Sequence, residues 1–263
     1  MSTAQLAELL ATDPSVLFIT GAGVSAASGI PTYRGVTGLY NDPDPELGLP
    51  IEELLSEAMW RARPELTWRY LRQIGEHATG ARPNLAHQVI AALQRRLTRA
   101  WVLTQNVDGL HQRAGSEKLI AIHGDAADIA CRACGWAHTV ASYDEVQGEV
   151  PACPDCGGNL RPEVVLFDEQ LPAGPVALYR REVEQRGFDV VVSVGTSHVF
   201  PYINQPVISA YYSGKATVLI NPEVVRITPW SGDDELDCFR MHLKVGAVEA
   251  FGQLAREMGI SIA

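Results

Sequence analysis

Four cysteines fall in two tight pairs, Cys131-x-x-Cys134 and Cys153-x-x-Cys156, with 18 residues between the pairs. Each such turn can present two sulfurs to one metal, and the spacing suits a tetrahedral four-thiolate zinc site. Two disulfides are the alternative, favoured only where the surroundings are oxidising. Four protein ligands leave no open position for water, so this zinc would hold structure and chemistry must lie elsewhere. A second set of candidates sits just after short apolar runs: Gly21-Ala22-Gly23, then Gln105-Asn106-Val107-Asp108, His123-Gly124-Asp125, Gly195-Thr196-Ser197 and Asn221-Pro222-Glu223. Glycines and hydroxyls suit phosphate, amides and carboxylates suit ribose, and a histidine suits proton transfer near neutral pH. Each loop also has a plain reading: a tight turn at 21–23, an Asx-type turn closed by Gly109, a lone structural histidine. Of the seven histidines, only His123 combines a strand end, a following glycine and nearness to the other loops; His77, His87, His111, His138, His198 and His242 have no comparable setting.

The elements that would position these loops are continuous apolar runs. Ser15–Thr20, Trp101–Thr104, Leu119–Ile122, Asp189–Val194 and Ala216–Ile220 read as strands buried on both faces, as in a parallel sheet. Helix-like stretches lie between them, among them 84–97 with Asn84 as its N-cap. This alternation predicts an α/β, doubly wound, Rossmann-like sheet whose ligands bind at the strands' carboxyl ends. Two stretches break it. Residues 35–80 carry an Asp/Pro cluster and helix-like segments at 51–59 and 64–75, and residues 126–160 carry the cysteines. Both read as insertions that together build a small domain, a helical module and a zinc ribbon, leaving 1–34, 81–125 and 161–263 for the large one. The glycine loop is not the strict dinucleotide fingerprint, because Ala26 stands where a third glycine is usual.

Composition narrows the function. A formal charge of -10 and a pI near 5.2 argue against a nucleic-acid binder, which needs clustered Lys and Arg. No apolar run is long enough for a membrane span, and residues 1–10 do not read as a signal peptide. A cytoplasmic, reducing location is therefore expected, where thiols favour metal over disulfide. Cys238 is the odd cysteine and reads as a small buried apolar residue.

The loops in order, GAGVSAASGIPTYRG, TQNVDGLHQRAG, HGD, two CxxC pairs, RPEVVLFDEQLP, VGTS and INPE, closely resemble the sirtuin family from about Phe18 to Glu223. The resemblance implies an NAD-dependent protein-lysine deacylase with acyl-lysine proteins as partners, NAD and one structural zinc. It implies NAD contacts from Gly21, Ala22, Gly23, Ala26, Thr32, Tyr33 and Arg34, with Gln105 and Asn106 on the nicotinamide ribose. Val107 and Asp108 would meet the carboxamide, Gly195, Thr196 and Ser197 the phosphates, and Asn221 and Glu223 the adenine ribose. His123 would be the general base, with Asn106 beside it in catalysis, and Val164, Val165, Leu166 and Phe167 would line the peptide and acyl channel. In the family reaction the nicotinamide–ribose bond breaks and the acyl oxygen captures C1′. A base-activated ribose hydroxyl then attacks the imidate carbon, giving lysine, nicotinamide and O-acyl-ADP-ribose. Mono-ADP-ribosyl transfer or NAD hydrolysis is the alternative on the same fold.

Three departures qualify the resemblance. Asp168 replaces the glycine of a usual Phe-Gly-Glu. Leu71 and Ile74 stand where desuccinylase-type members carry Tyr-x-x-Arg, which predicts apolar acyl groups over succinyl. Lys244-Val245-Gly246 falls where a Gly-x-Ala touches adenine, and the run His198–Tyr202 after VGTS is unusual.

Overall fold

The computed structural model describes residues 2–31, 42–228 and 235–262. The apolar runs form strands β1 (Val16–Thr20), β2 (Ala100–Thr104) and β3 (Leu119–Ala121). After β3 come β4 (Gly124–Cys131), β5 (Ala137–Thr139) and β6 (Leu160–Val164), then β7 (Val190–Val194), β8 (Ala216–Ile220) and β9 (Met241–Leu243). The larger sheet has the order β3-β2-β1-β7-β8-β9, all parallel. Side chains alternate across it as the pleat requires. Val16 and Phe18 enter a core with Leu6, Val89, Ile90 and Phe251, whereas Leu17 and Ile19 enter another with Leu103, Ile203 and Val207. Helices Thr3–Leu10, Leu85–Arg96 and Ala247–Glu257 cover the first face, and Pro201–Tyr212 lies on the second. The strand order reverses between β1 and β7, so their carboxyl-end loops border the crevice where such sheets take ligands.

The smaller sheet is antiparallel, in the order β5-β4-β6. It shares one core with the helices of the 42–80 segment: Leu54, Trp68 and Leu71 pack with Ile129, Tyr143, Leu160 and Val164. Trp68 is fully buried and its Nε1–H donates to Leu160 O at 2.7 Å, satisfying the indole's one polar atom. The helix expected over 51–59 is two helices, Ile51–Leu54 and Glu57–Ala62. The break has a physical cause. Ser56 caps the second helix through Oγ, which accepts from Met59 N–H at 3.1 Å, and its backbone bridges in parallel to Phe167. The next helix runs on to Gly80 rather than stopping at 75.

Candidate functional site

The carboxyl ends of β1, β2, β3, β7 and β8 open on one cavity of about 700 Å³. Gly21, Ala22, Gly23 and Ala26 line it, as do Gln105, Asn106, Val107 and His123. So do Gly195, Thr196, Ser197, Asn221 and Glu223. Its apolar wall is Leu71, Ile74, Val164, Val165, Leu166 and Phe167. Asp108 borders a small adjoining void with Ala22, Ile30, Ile74 and Val107 instead. Thr32, Tyr33 and Arg34 lie outside the described residues.

Close backbone packing fixes the loops that follow β1 and β7. Gly195 has φ 56°, and a Cβ there would lie 2.5 Å from the carbonyl carbon of Gly23; a Cβ on Gly23 would lie 2.7 Å from Gly195 Cα. The expectation that these glycines clear space for a phosphate is therefore only part of the matter. They are required first because the β1 and β7 loops touch backbone to backbone, with Gly23 N–H donating to Gly195 O at 2.9 Å. Gln105 ties a third loop in, its Nε2–H donating to Thr196 Oγ1 at 2.8 Å. Asn106 is buried, and its Nδ2–H donates to Gly21 O at 3.1 Å and Ser25 Oγ at 3.0 Å.

His123 lies between β3 and β4, two residues past the end of β3, which stops at Ala121 rather than at the expected Ile122. Gly124, with φ 86°, turns the chain there; a Cβ would meet Glu163 O at 1.8 Å. Nδ1 of His123 is 2.9 Å from Gln105 O, and a carbonyl can only accept, so Nδ1 carries the proton and Nε2 is the basic atom. Nε2 faces the phenol of Tyr202 at 2.6 Å. Burial pushes the imidazole below its ordinary pKa, opposed by the bond to Gln105, so it stays neutral and basic at neutral pH.

Behind the loops lies a polar network that the sequence did not reveal. Ser25 Oγ–H donates to Asp108 Oδ2 at 2.6 Å, and His87 Nε2 lies 3.3 Å from Ser25 Oγ. The His87 and His111 rings meet edge-on at 4.8 Å, and His111 Nε2 is 3.0 Å from Thr20 Oγ1. His198 is buried on Asn204 Oδ1 at 3.0 Å. The view that only His123 has a notable setting is thus corrected: His87, His111 and His198 are structural buttresses of the loops. Burial holds His87 and His198 down at about 4, and His111 well below its usual range. In the unfolded chain all would take a proton near pH ~6.5. Below that pH the unfolded state binds more protons than the folded one, so stability falls as pH falls. The expected result is a thermal midpoint that is level above pH ~6.5 and declines steadily toward pH ~4. A midpoint unchanged down to pH ~5 would contradict the buried neutral histidines.

The four cysteine sulfurs lie within 4.8 Å of one another, with Cys131–Cys156 at 3.5 Å and Cys134–Cys153 at 3.6 Å. A disulfide needs about 2.05 Å, whereas four sulfurs about 2.3 Å from one zinc stand about 3.8 Å apart. The donors and spacing therefore fit zinc.

Asp168 takes the left-handed conformation, φ 65°, so the chain keeps a glycine-like turn with an aspartate, one of the side chains that tolerates that region best. Arg161 is fully buried and paired with Glu169 Oε2 at 2.8 Å, and the same oxygen accepts from Leu166 N–H at 2.9 Å. This pair fixes the turn that follows the apolar wall. Of the Lys244-Val245-Gly246 run, Gly246 lines the cavity, together with Ala247.

Residues 21–201 match the model of the Sir2 family. That match spans most of the chain, through the glycine loop, the His123 segment and both cysteine pairs. The chain belongs to the Sir2 family. Among Sir2 relatives, "NAD-dependent protein deacylase 2" of Pseudomonas aeruginosa is 46% identical over 228 residues, covering 86% of this chain and 88% of the relative. A solved Sir2 homolog–NAD complex superposes with a TM-score of 0.80 at 35% identity, covering 98% of this chain and 94% of the other. A Sir2 structure with deacetylated p53 peptide and 3′-O-acetyl ADP ribose gives a TM-score of 0.82 at 29% identity, over 99% and 100% of the two chains. Among the described residues, no helix is long and apolar enough to cross a membrane.

Proposed function

We infer that this chain is an NAD-dependent protein-lysine deacylase, releasing nicotinamide and passing the acyl group to ADP-ribose. One observation carries the reading: a basic histidine nitrogen, ribose-type amides and phosphate-type loops share one cavity with an apolar wall. NAD is a co-substrate here, and bound it supplies a nicotinamide–ribose bond whose breaking leaves an electrophilic ribose carbon. Its phosphates lie against the 21–23 and 195–197 loops; Gly21, Gly23 and Gly195 donate their N–H groups to Val194 O, Gly195 O and Ile220 O, so the phosphate contacts fall to the N–H groups of Ala22, Thr196 and Ser197. Gln105 and Asn106 hold the nicotinamide ribose, and Asn221 and Glu223 the adenine ribose. Val107 and Asp108 receive the carboxamide at the small adjoining void. Val164, Val165, Leu166 and Phe167 hold the acyl-lysine and keep water from the reacting carbon. His123 Nε2 is the general base for the ribose hydroxyl that attacks the acyl carbon. One zinc on the four cysteines braces the smaller sheet. Acyl-lysine proteins are the partners, the acidic surface disfavours nucleic acid, and cysteines that hold a metal suit a cytoplasmic location.

The acyl pocket follows from Leu71 and Ile74, which both face the cavity, while Tyr70 is engaged through its hydroxyl with Asp44. A succinyl carboxylate beside this apolar pair would be buried unpaired at a cost of several kcal/mol, which converts to at least ~100-fold. A panel of acetyl, butyryl, myristoyl and succinyl peptides with NAD tests both claims. Nicotinamide release should require an acyl peptide, with kcat/KM for succinyl at least ~100-fold below acetyl. Release without peptide would favour an NAD hydrolase, and a preference for succinyl would remove the role given to Leu71 and Ile74.

A further inference from the structure

The basic atom of His123 is not open to the cavity alone; it is met by a phenol. Since Nδ1 must donate to Gln105 O, Nε2 is an acceptor, and the Tyr202 hydroxyl donates to it at 2.6 Å. Tyr202 lines the same cavity as Gln105, Asn106 and Thr196. Its ring is held on several sides. Phe200 stacks on it at 5.5 Å with planes 15° apart, and the His123 ring meets it edge-on at 6.0 Å. Tyr179 Oη–H donates to the Tyr202 carbonyl at 2.9 Å, and Tyr202 is in the first turn of the helix Pro201–Tyr212. A phenol fixed in this way keeps an oxygen lone pair for a second partner while its proton points at the histidine.

Resting on the deacylase reading, we propose that Tyr202 is a catalytic residue that relays the ribose proton to His123. The ribose O–H bond breaks, its electron pair becomes the nucleophile's bond to the acyl carbon, and its proton joins Tyr202 Oη. The phenol's own proton passes to His123 Nε2. Tyr202 ends neutral, and the imidazole ends protonated with one positive charge. Burial raises the phenol's pKa, so it remains a proton donor across the working pH range.

The test is Tyr202→Phe in the full chain with zinc bound, using NAD and an acetyl-lysine peptide beside the wild type. Two rates separate the steps: exchange of labelled nicotinamide into NAD, which needs no base on the ribose hydroxyl, and formation of O-acyl-ADP-ribose. The relay predicts that product formation falls by about 10–100-fold while exchange and NAD affinity stay within about threefold. Product formation at or above the wild-type rate would overturn it and make the phenol a cap displaced by NAD. A parallel fall of exchange and product formation would also overturn it, assigning Tyr202 to cofactor binding. No peptide-dependent nicotinamide release in the wild type would instead sink the deacylase reading itself.

Discussion

His123→Ala should give a folded, zinc-loaded protein that deacylates peptide about 10²–10⁴-fold more slowly than the wild type. The range is the usual contribution of a positioned general base. The fold should survive because His123 is bonded to a loop carbonyl and a phenol at the cavity rather than packed in the core of either sheet. The lost bond to Gln105 O costs about 1 kcal/mol, too little to unfold the chain. Nicotinamide exchange should persist, because breaking the nicotinamide bond precedes the base's work. In the wild type, burial of His123 also places the acid limb of the rate profile below the ordinary ~6.5 of a histidine. Turnover in the alanine variant within threefold of wild type would remove His123 from the chemistry.

Cys131→Ser should abolish activity by another route. Cys131 is buried in the core shared by the smaller sheet and the helices beside it, and its N–H donates to Trp136 O at 2.7 Å. Structural zinc in small peptides is worth about 10–16 kcal/mol of apparent binding free energy, which is folding free energy for the segment that holds it. Few small cores could offset that loss, since whole domains are stable by about 5–15 kcal/mol. The core in question carries Leu71, Val164 and Leu166, part of the apolar wall of the cavity. The expected result is loss of bound zinc by elemental assay, faster proteolysis within 124–164, and no measurable deacylation. A variant that lost its zinc yet stayed folded and active would show that the metal is dispensable to the wall.

The larger sheet was legible because its strands are buried on both faces and so read as continuous apolar runs, such as Asp189–Val194. β9 was not, because Met241-His242-Leu243 is three residues long and carries a histidine whose Nε2 lies 2.9 Å from Asn221 O. The β4, β5 and β6 strands were hidden in a stretch rich in Gly, Pro and Cys, where the fold is set by metal-binding turns more than by strand propensity. At the site, loops that follow strands were visible in order, and the cavity gathers them. The network around His87 and His111 was not visible, because Thr20 is 91 residues from His111 and Ser25 is 62 residues from His87. One local signal existed for His87: it stands at the third helical position after Asn84, where its Nδ1 accepts from the Asn84 N–H at 3.3 Å. Tyr202 gave only an indirect sign, the unusual run His198–Tyr202 between a glycine loop and a helix with Pro at its start.

The central claim is that one cavity couples nicotinamide release to acyl transfer from lysine. The most direct measurement is a product balance with NAD and acetyl-lysine peptide, quantifying nicotinamide, free-lysine peptide and O-acetyl-ADP-ribose in the same reaction. Equal amounts of all three, with none formed when either substrate is left out, is the result expected. Nicotinamide and ADP-ribose accumulating while the peptide stays acetylated would contradict it.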